Sequence, residues 1–393
     1  MLSKTITTLL TAGSLATAAS IAMPRETTTP QQDATKNLVI GGPTTIQLAT
    51  FDGSSFTLGE SNVTAGTAPS WLRWKSSINT LYAVDENGVN LNIFTLDEAK
   101  KVPTFVSSVT QSSGVVFLEF NTDQTRMVGA AYGNGTVDVW DVSAETPKLI
   151  KTLTVEGTLG PDPASQTAHH PHQALLDPTG RYFLINDLGG DQILILDSQD
   201  DKYEFADPVH LPAGSGPRHG GFIKTGNSTY YVVATELSNE VFLYELTYGD
   251  QLTFKQISKQ STYGTDAPAN ATSAAAGELQ VASNNKDVYI SNRLSGNADG
   301  DSLAHFQFAD GALTYVAAIP TQGTLPRMFS LSLDESVVFV ANQGGDKGLV
   351  AFKRCTTGGT LYPDALASIA NADLVPAGLE GTPNVGPQFV QEI

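Results

Sequence analysis

Cysteine is nearly absent from this chain of 393 residues, and basic side chains are scarce. Cys355 is the single cysteine, so no internal disulfide can form and stability must come from packing, which a chain of this length can supply. No histidine lies near Cys355 in the sequence, which argues against a catalytic thiol. The net charge is -18, from 22 basic and 40 acidic residues. Nucleic acid and anionic membrane surfaces are therefore disfavoured as partners, because both bind basic side chains.

Long hydrophobic runs are also lacking, and none approaches the roughly 18 residues of a membrane span. Residues 1–22 instead have a short basic start, an apolar and small-residue run from Leu9 to Ala22, and a small-x-small pattern at Ala16-Thr-Ala18. These features predict a secretory signal peptide, followed by a flexible Thr/Pro/Gln-rich leader over residues 23–37. We therefore expect a secreted, extracellular or cell-wall protein. Four N-x-S/T sequons predict N-glycosylation, at Asn62, Asn134, Asn227 and Asn270.

Helical periodicity is almost absent, whereas one strand–turn–strand pattern recurs along the chain. The copies are residues 37–52, 81–97, 127–142, 182–197, 230–246, 288–308 and 337–352. Strand repeats with a period of about 50 residues indicate a β-propeller with one four-stranded blade per repeat. We predict an all-β, seven-bladed propeller of four-stranded antiparallel blades over residues 38–393. The ring would be closed by the N-terminal strands pairing with the C-terminal end, which removes exposed sheet edges. Two stacked β-sandwiches are the alternative.

Three of the six histidines lie within four positions, at the start of one predicted strand pair. Asp177-Pro-Thr-Gly180 is a hairpin turn, so the strand beginning at His172 and the strand ending at Asp187 start and finish on one face of the disc. The same reasoning in other blades brings further residues to that face, around the central channel: Arg218, Glu236, Glu278, Arg293 and Arg327. An arginine cluster in an acidic protein predicts an anion site, because guanidinium binds carboxylate or phosphate bidentately.

Two other interpretations of these residues remain open. The arginines and acids could form a salt-bridge network that fixes blade register. The cluster of His169, His170 and His172 could bind zinc, which favours imidazole, because His170 and His172 have the spacing of two side chains on one strand face. However, no third ligand is obvious beside that pair and Pro171 indicates a loop, so we expect no metal. The sequence has no Gly-rich phosphate loop, G-x-S-x-G or H-E-x-x-H motif, and we expect no cofactor.

Four segments resemble the seven-bladed lactonase family, which includes 6-phosphogluconolactonases and carboxy-cis,cis-muconate cyclases. They are HPHQALLDPTGRYFLINDLGGDQI, GSGPRHGGF followed by ATELSNEV, GELQVASNNKDVYISNR and TLPRMFSLSLDESVVFVANQGGD. The resemblance covers about residues 38–353. It implies a site formed by His172, Arg218, Glu236 and Arg293, with Arg327 close by. This set agrees with the residues that strand geometry brings to one face.

The predicted function is lactone chemistry on a small anionic substrate. His172 or Glu236 would transfer the proton and Arg293 would stabilise developing charge as catalytic residues. Substrate binding would fall to four residues, Arg218, Arg327, Glu278 and Asp187. The reaction would be either lactone formation, as in a muconate cyclase, which we favour slightly, or lactone hydrolysis, as in a 6-phosphogluconolactonase. The alternative is a non-catalytic secreted or cell-wall glycoprotein that uses the propeller as a binding module.

Overall fold

The structure is a computed structural model that describes residues 35–62, 68–97, 102–376, 378–379 and 381–393. Within these residues, 28 strands form seven antiparallel four-stranded sheets. The sheets are the blades of a propeller, as the repeat predicted. The predicted signal peptide and most of the predicted leader lie outside the described residues, and the first strand begins at Lys36.

The strands follow one another blade by blade from the N-terminus. The closing blade begins with β1 (Lys36–Gly41), β2 (Ile46–Phe51) and β3 (Phe56–Asn62). Blade 1 has β4 (Leu72–Lys75), β5 (Thr80–Ala83), β6 (Asn90–Asp97) and β7 (Val102–Thr110). Blade 2 has β8 (Val115–Phe120), β9 (Arg126–Ala131), β10 (Thr136–Asp141) and β11 (Lys148–Thr154). Blade 3 has β12 (Pro171–Leu176), β13 (Tyr182–Asp187), β14 (Gln192–Asp197) and β15 (Glu204–His210).

The second half of the ring has the same plan. Blade 4 has β16 (Pro217–Thr225), β17 (Ser228–Thr235), β18 (Glu240–Tyr248) and β19 (Leu252–Ser261). Blade 5 has β20 (Ala275–Val281), β21 (Asp287–Arg293), β22 (Ser302–Ala309) and β23 (Ala312–Pro320). Blade 6 has β24 (Thr324–Leu331), β25 (Val337–Gly344), β26 (Lys347–Arg354) and β27 (Leu361–Ala370), and β28 (Phe389–Glu392) returns to the closing blade. The helical elements of the described residues are 3-10 turns at Ser76–Ile78 and Gln199–Asp201 and the helix α1 (Asn371–Leu374).

Burial changes from the middle to the outside of each blade. The second strands are buried on both faces, as in β13, where all six residues are buried. Most residues of the fourth strands are half-buried or exposed, as in β19 and β23. A strand covered on two faces reads as a continuous apolar run, whereas a half-covered strand alternates. Neighbouring blades therefore bury each other's faces, and the outer strands are the most exposed to solvent.

The C-terminal strand closes the ring, as predicted. β28 pairs antiparallel with β1, from Leu38 opposite Glu392 to Gly41 opposite Phe389, and it occupies the inner edge of the closing blade. Chain ends that are far apart in sequence thus share one sheet. Within the described residues this pairing leaves the ring with no open seam, so both ends of the chain are needed to complete it.

Shortening Val390, which is fully buried in β28, is expected to weaken this closure. Val390→Ala removes two methyl groups from a packed site and should lower the free energy of unfolding by about 2 kcal/mol. The matched control is Val316→Ala on the outer strand β23, where the side chain is 45% exposed and the change should stay within about 0.5 kcal/mol. Urea unfolding of both variants measures the difference. Equal stability of the two would contradict closure by β28.

The first strand of each blade, β28 in the closing blade, lines a central channel of about 480 Å³. Leu333, which is 75% exposed, lines the channel where it opens on one face of the disc. Among the described residues, no helix is long and apolar enough to cross a membrane.

Candidate active site

The inner strands carry their polar site residues on β-bulges. His172, Arg218 and Arg327 each follow a proline, and each is the residue at which the pairing of an inner strand with the second strand shifts register. Glu278 lies in a similar shift in blade 5. A bulge puts an extra residue in one strand and re-aims its side chain. The bulges therefore turn these four side chains toward the centre of the ring, with His172, Arg218 and Arg327 at one face that we call the site face and Glu278 below it.

The ends of the second strands supply the remaining charged groups of the site face. Arg293 is the last residue of β21, and Glu236 follows β17 directly. Glu86 and Tyr132 lie in the corresponding turns after β5 and β9. An antiparallel hairpin returns to the level at which it began, so these residues meet the starts of the inner strands.

Two carboxylates bind the three arginines of the site face, Arg218, Arg293 and Arg327, which we call the arginine cluster. Oε2 of Glu236 lies 2.8 Å from Nε of Arg218 and 2.8 Å from Nη2 of Arg293. Arg327 pairs separately, because its Nη2 donates to Oε2 of Glu86 at 2.6 Å. Arg293 Nη2 also donates to the carbonyl of Ala276 at 2.9 Å, which anchors it to its own blade.

Burial and mutual repulsion shift the pKa values of this cluster. Burial, together with the charges of Arg293 and Arg327, lowers the pKa of Arg218 to about 9. Burial acts to raise the pKa of Glu236, but Arg293 and Arg218 outweigh it, and the pKa lies below its usual value. The pKa of Glu86 is also lowered, because burial acts to raise it but the charge of Arg327, together with hydrogen bonds, outweighs that effect. Both acids are therefore ionised at neutral pH, and each holds its arginines in place.

The arginine cluster has N–H donors that no acceptor in the described residues contacts. Nη1 of Arg218 and Nε of Arg293 are buried and have no hydrogen-bond partner there. Buried donors without partners are costly, and a charged donor is more costly than a neutral one. An anion with several acceptor oxygens would satisfy them, which is the chemistry that guanidinium groups are suited to.

His172 is the candidate general base of the site. It is 7% exposed, and its Nδ1 lies 3.0 Å from Nε2 of His219. Its own Nε2 has no hydrogen-bond partner among the described residues. Burial, followed by the charge of Arg218, lowers the pKa of His172 well below its usual value. The imidazole is therefore neutral at ordinary pH and can accept a proton.

An aromatic layer separates the site from the central channel. Trp71 stacks on Phe117 with ring centroids 4.0 Å apart and meets Phe389 edge-on at 5.2 Å. His219 packs edge-on against Trp71 and Phe117 at 5.7 and 5.5 Å. A small cavity of about 10 Å³ lies between His172, Arg218, His219, Glu278 and Arg327. The floor of the site is thus closely packed, and the channel opens to the opposite face.

Two residues predicted to bind substrate have other partners. Asp187 is fully buried, and its oxygens accept from the backbone N–H of His170 and from Nε2 of Gln192, while Nδ1 of His169 lies 2.7 Å away. Its side chain holds the loop before β12, so we correct its role to a structural one. Glu278 is 1% exposed and faces His219 and Gln280 below the site, so it is not placed to touch a ligand directly.

The three clustered histidines have three different partners. His169 contacts Asp187, whereas His170 stacks on Tyr132 at 4.1 Å and its Nδ1 lies 2.7 Å from the Tyr132 carbonyl. His172 contacts His219. Among the described residues, no group of three His, Cys, Asp or Glu side chains is placed to hold a metal ion. The cluster is therefore a hydrogen-bonded scaffold around His172.

Three residues of the site were missed by sequence reasoning. His219 directly follows Arg218, and in a regular strand its side chain would point to the other face of the sheet. The bulge interrupts that alternation, so both side chains lie near the site. Glu86 occupies in blade 1 the turn position that Glu236 occupies in blade 4, so the repeat alignment contained its signal. Tyr132 occupies the same turn position in blade 2. Burial, followed by the charge of Glu236, raises the pKa of its hydroxyl, and Arg218 opposes that change.

The sequons differ in accessibility. Asn134, Asn227 and Asn270 are exposed, and Asn134 lies in the same turn as Tyr132, beside the site face. Asn62 is half-buried, and its Nδ2 donates to the carbonyl of Pro103 at 2.9 Å. Nδ2 is the atom that would carry a glycan, so Asn62 is the least accessible of the four.

The fold and the site define a seven-bladed propeller with a histidine, arginine and carboxylate cluster at one face of its centre. The chain belongs to the family of seven-bladed β-propeller lactonases, whose sequence model matches residues 36–369. The family resemblance inferred from the motifs is thereby confirmed.

Known relatives support this assignment. A protein of Arthroderma benhamiae named "Probable 6-phosphogluconolactonase" is 30% identical over 248 residues, which are 61% of this chain and 61% of that relative's length. The periplasmic gluconolactonase of Pseudomonas aeruginosa has a similar structure, with a TM-score of 0.71 and 25% identity over 91% of this chain and 98% of that one. A Lactobacillus plantarum protein shares the fold, with a TM-score of 0.72 and 24% identity over 86% and 99% of the two chains.

Proposed function

We propose that this protein hydrolyses a lactone that carries an anionic group, in the manner of a 6-phosphogluconolactonase. The observation that supports this most is the buried imidazole of His172 beside buried arginine donors without partners. A base and a set of fixed cations are what hydrolysis of an anionic ester requires. The relatives described as gluconolactonases point to the same reaction class.

In the proposed mechanism, water attacks the lactone carbonyl while Nε2 of His172 takes its proton. The carbonyl oxygen becomes an oxyanion, and the arginine cluster stabilises its charge by donors that are already fixed in place. The bond between the carbonyl carbon and the ring oxygen then breaks, and His172 returns the proton to the leaving alkoxide. The new carboxylic acid ionises, so each turnover releases one hydroxy acid anion and one proton. No covalent intermediate is required.

The acids of the site restrain the arginines in the absence of substrate. Glu236 and Glu86 each occupy one edge of the guanidinium groups that they contact. The free edges remain for the substrate, whose phosphate or carboxylate would bind there. A neutral lactone would leave buried donors without hydrogen bonds. The kcat/KM for the anionic substrate should therefore exceed that for the neutral one by more than the loss of one apolar contact would cause.

Proton release on lactone opening tests the proposed function. Purified protein is incubated with 6-phosphogluconolactone, with unphosphorylated gluconolactone and with carboxy-cis,cis-muconate, and spontaneous hydrolysis is subtracted. We expect turnover of 6-phosphogluconolactone with kcat/KM at least about tenfold above that of gluconolactone. Turnover of the muconate alone would assign the protein to the cyclising branch of the family. No turnover of any of the three would favour the binding-module alternative.

We further propose that the protein is secreted and N-glycosylated at Asn134, Asn227 and Asn270, all of which are exposed. Expression of the full chain in a eukaryotic host should place it in the medium, and glycosidase treatment should lower its mass. Each Asn→Gln variant should remove one glycan, as read by peptide mass mapping. Retention of the unglycosylated chain inside the cell would contradict this proposal.

A further inference from the structure

A buried chain of three side chains runs beneath the candidate site. Oε2 of Glu278 lies 2.9 Å from Nδ1 of His219, and Nε2 of His219 lies 3.0 Å from Nδ1 of His172. The contact between Glu278 and His219 is close, but its geometry does not meet that of a hydrogen bond, so it acts through charge. The three residues are 1%, 2% and 7% exposed, so protein atoms rather than bulk water determine their hydrogen bonds.

The chemistry of these groups determines which nitrogens carry a hydrogen. A carboxylate oxygen 2.9 Å away would repel the lone pair of a bare nitrogen, so Nδ1 of His219 must carry its hydrogen. A neutral imidazole carries one hydrogen, which leaves Nε2 of His219 as an acceptor. Nδ1 of His172 must then be the donor across the 3.0 Å contact, and Nε2 of His172 keeps its lone pair.

We propose that Glu278 and His219 are positioning residues that hold His172 in the tautomer whose Nε2 is free to accept a proton. The base role of that nitrogen rests on the proposed function, whereas the tautomer follows from the two contacts and the neutral state of both rings. Neither residue touches the reacting atoms. Their role resembles that of a carboxylate that orients a catalytic histidine, here extended by a second imidazole.

Packing holds the middle member of the chain. The ring of His219 is held edge-on by Trp71 and Phe117 and follows the bulged Arg218. Its ring cannot turn over without breaking these contacts. Burial lowers the pKa of His219 and Glu278 opposes that change, while burial and the charge of Arg218 lower the pKa of His172. Both rings therefore stay neutral, which is the condition for a defined tautomer.

Gln280 makes the arrangement testable, because its Nε2 donates to the other carboxylate oxygen of Glu278 at 3.0 Å. In a Glu278→Gln variant, the new amide would turn its oxygen toward Gln280, because Nε2 of Gln280 still needs an acceptor. The new amide N–H₂ would then face Nδ1 of His219 and reverse each hydrogen bond up to His172. Nε2 of His172 would become protonated and unable to act as a base. Replacing Gln280 by leucine as well would free the new amide to rotate and restore the original direction.

The experiment combines histidine ring nitrogen NMR with steady-state kinetics on the full chain. The His172→Ala variant assigns the resonances of His172. We expect an unprotonated Nε2 at His172 in the wild-type protein and a protonated one in Glu278→Gln. The variant should lose about 10²–10⁴-fold in kcat with little change in KM. Gln280→Leu alone should stay within about threefold of wild type, and the double variant should regain at least about tenfold.

The outcomes separate this inference from the proposed function. A protonated Nε2 of His172 in the wild-type protein would overturn the inference, whatever the activity. Unchanged tautomer and turnover in a folded Glu278→Gln variant would overturn it as well. The expected tautomer in a protein that opens no lactone would leave the inference standing and remove the proposed function. If Glu278→Gln does not fold, the wild-type spectrum alone decides.

Discussion

Replacing His172 by alanine is expected to lower kcat for lactone hydrolysis by about 10²–10⁴-fold, because the reaction loses its general base. The side chain of His172 lies on the site face beside the arginine cluster, and its Nε2 has no hydrogen-bond partner among the described residues. The substitution leaves Nε2 of His219 without its contact, which should cost only about 1 kcal/mol of stability. KM should change little, since the arginine cluster that would bind the anion remains. Initial rates and thermal unfolding measure both effects.

The matched control is His210→Ala. His210 is exposed at the end of β15, on an outer strand of the same blade. This variant should keep wild-type rates. A His172→Ala protein that is folded and turns over the lactone at more than about a tenth of the wild-type rate would contradict the role of His172 as base.

Replacing Glu236 by glutamine is expected to lower the free energy of unfolding by about 3 kcal/mol. One carboxylate oxygen of Glu236 is shared by Arg218 and Arg293 at 2.8 Å each, and Arg218 is 2% exposed. The neutral amide keeps the shape of the side chain but leaves two neighbouring guanidinium charges uncompensated. Breaking a buried pair in this way costs more than the pair itself contributes.

The pH dependence of that difference has a defined sign. The pKa of Glu236 in the folded protein lies below its ordinary value of 4.5, so its stabilising effect is complete above pH 4.5. The effect is lost as the pH falls through the lowered pKa, where the wild-type carboxylate also becomes neutral. Urea unfolding should therefore show a constant difference between wild type and Glu236→Gln from pH 5 to 7, and a shrinking one below about pH 4.5.

A surface ion pair of the same blade provides the comparison. Glu240 contacts Lys259 at 2.7 Å, and the lysine side chain is 45% exposed. Glu240→Gln should cost less than about 1 kcal/mol at any of these pH values. A Glu236→Gln protein that is as stable as Glu240→Gln would show that the arginine cluster does not depend on its shared carboxylate.

The fold could be predicted from the sequence because each blade repeats the same strand–turn–strand signal. The second strands are buried on both faces and read as apolar runs, and the turns between strands read as Gly, Asn, Asp and Pro. Closure by residues 389–392 was predicted only in outline. A four-residue strand carries little pattern of its own, and its pairing with β1 is a long-range contact.

Residues of the candidate site could be predicted from the sequence where hairpin geometry alone determines which face of the disc they reach. Counting along a hairpin correctly brought His172, Arg218 and Arg293 to one face. The roles of Glu278 and Asp187 were not predictable in this way, because depth below the surface depends on how neighbouring blades pack. His219 was missed because period-two alternation fails at a bulge, and a bulge depends on the pairing of two strands rather than on one of them. The proline before His172, Arg218 and Arg327 is the local sequence feature that these bulges share.

A structure of the protein bound to 6-phosphogluconate, the expected product, would show whether the arginine cluster and His172 form the active site. We expect an anionic group of the ligand to contact Arg218 or Arg293 at the donors without partners, with the carboxylate carbon beside Nε2 of His172. Binding of the ligand in the channel on the opposite face, lined by Arg73, Glu119 and Ser330, would contradict it. A protein that turns over the lactone while its product binds there would require a different active site.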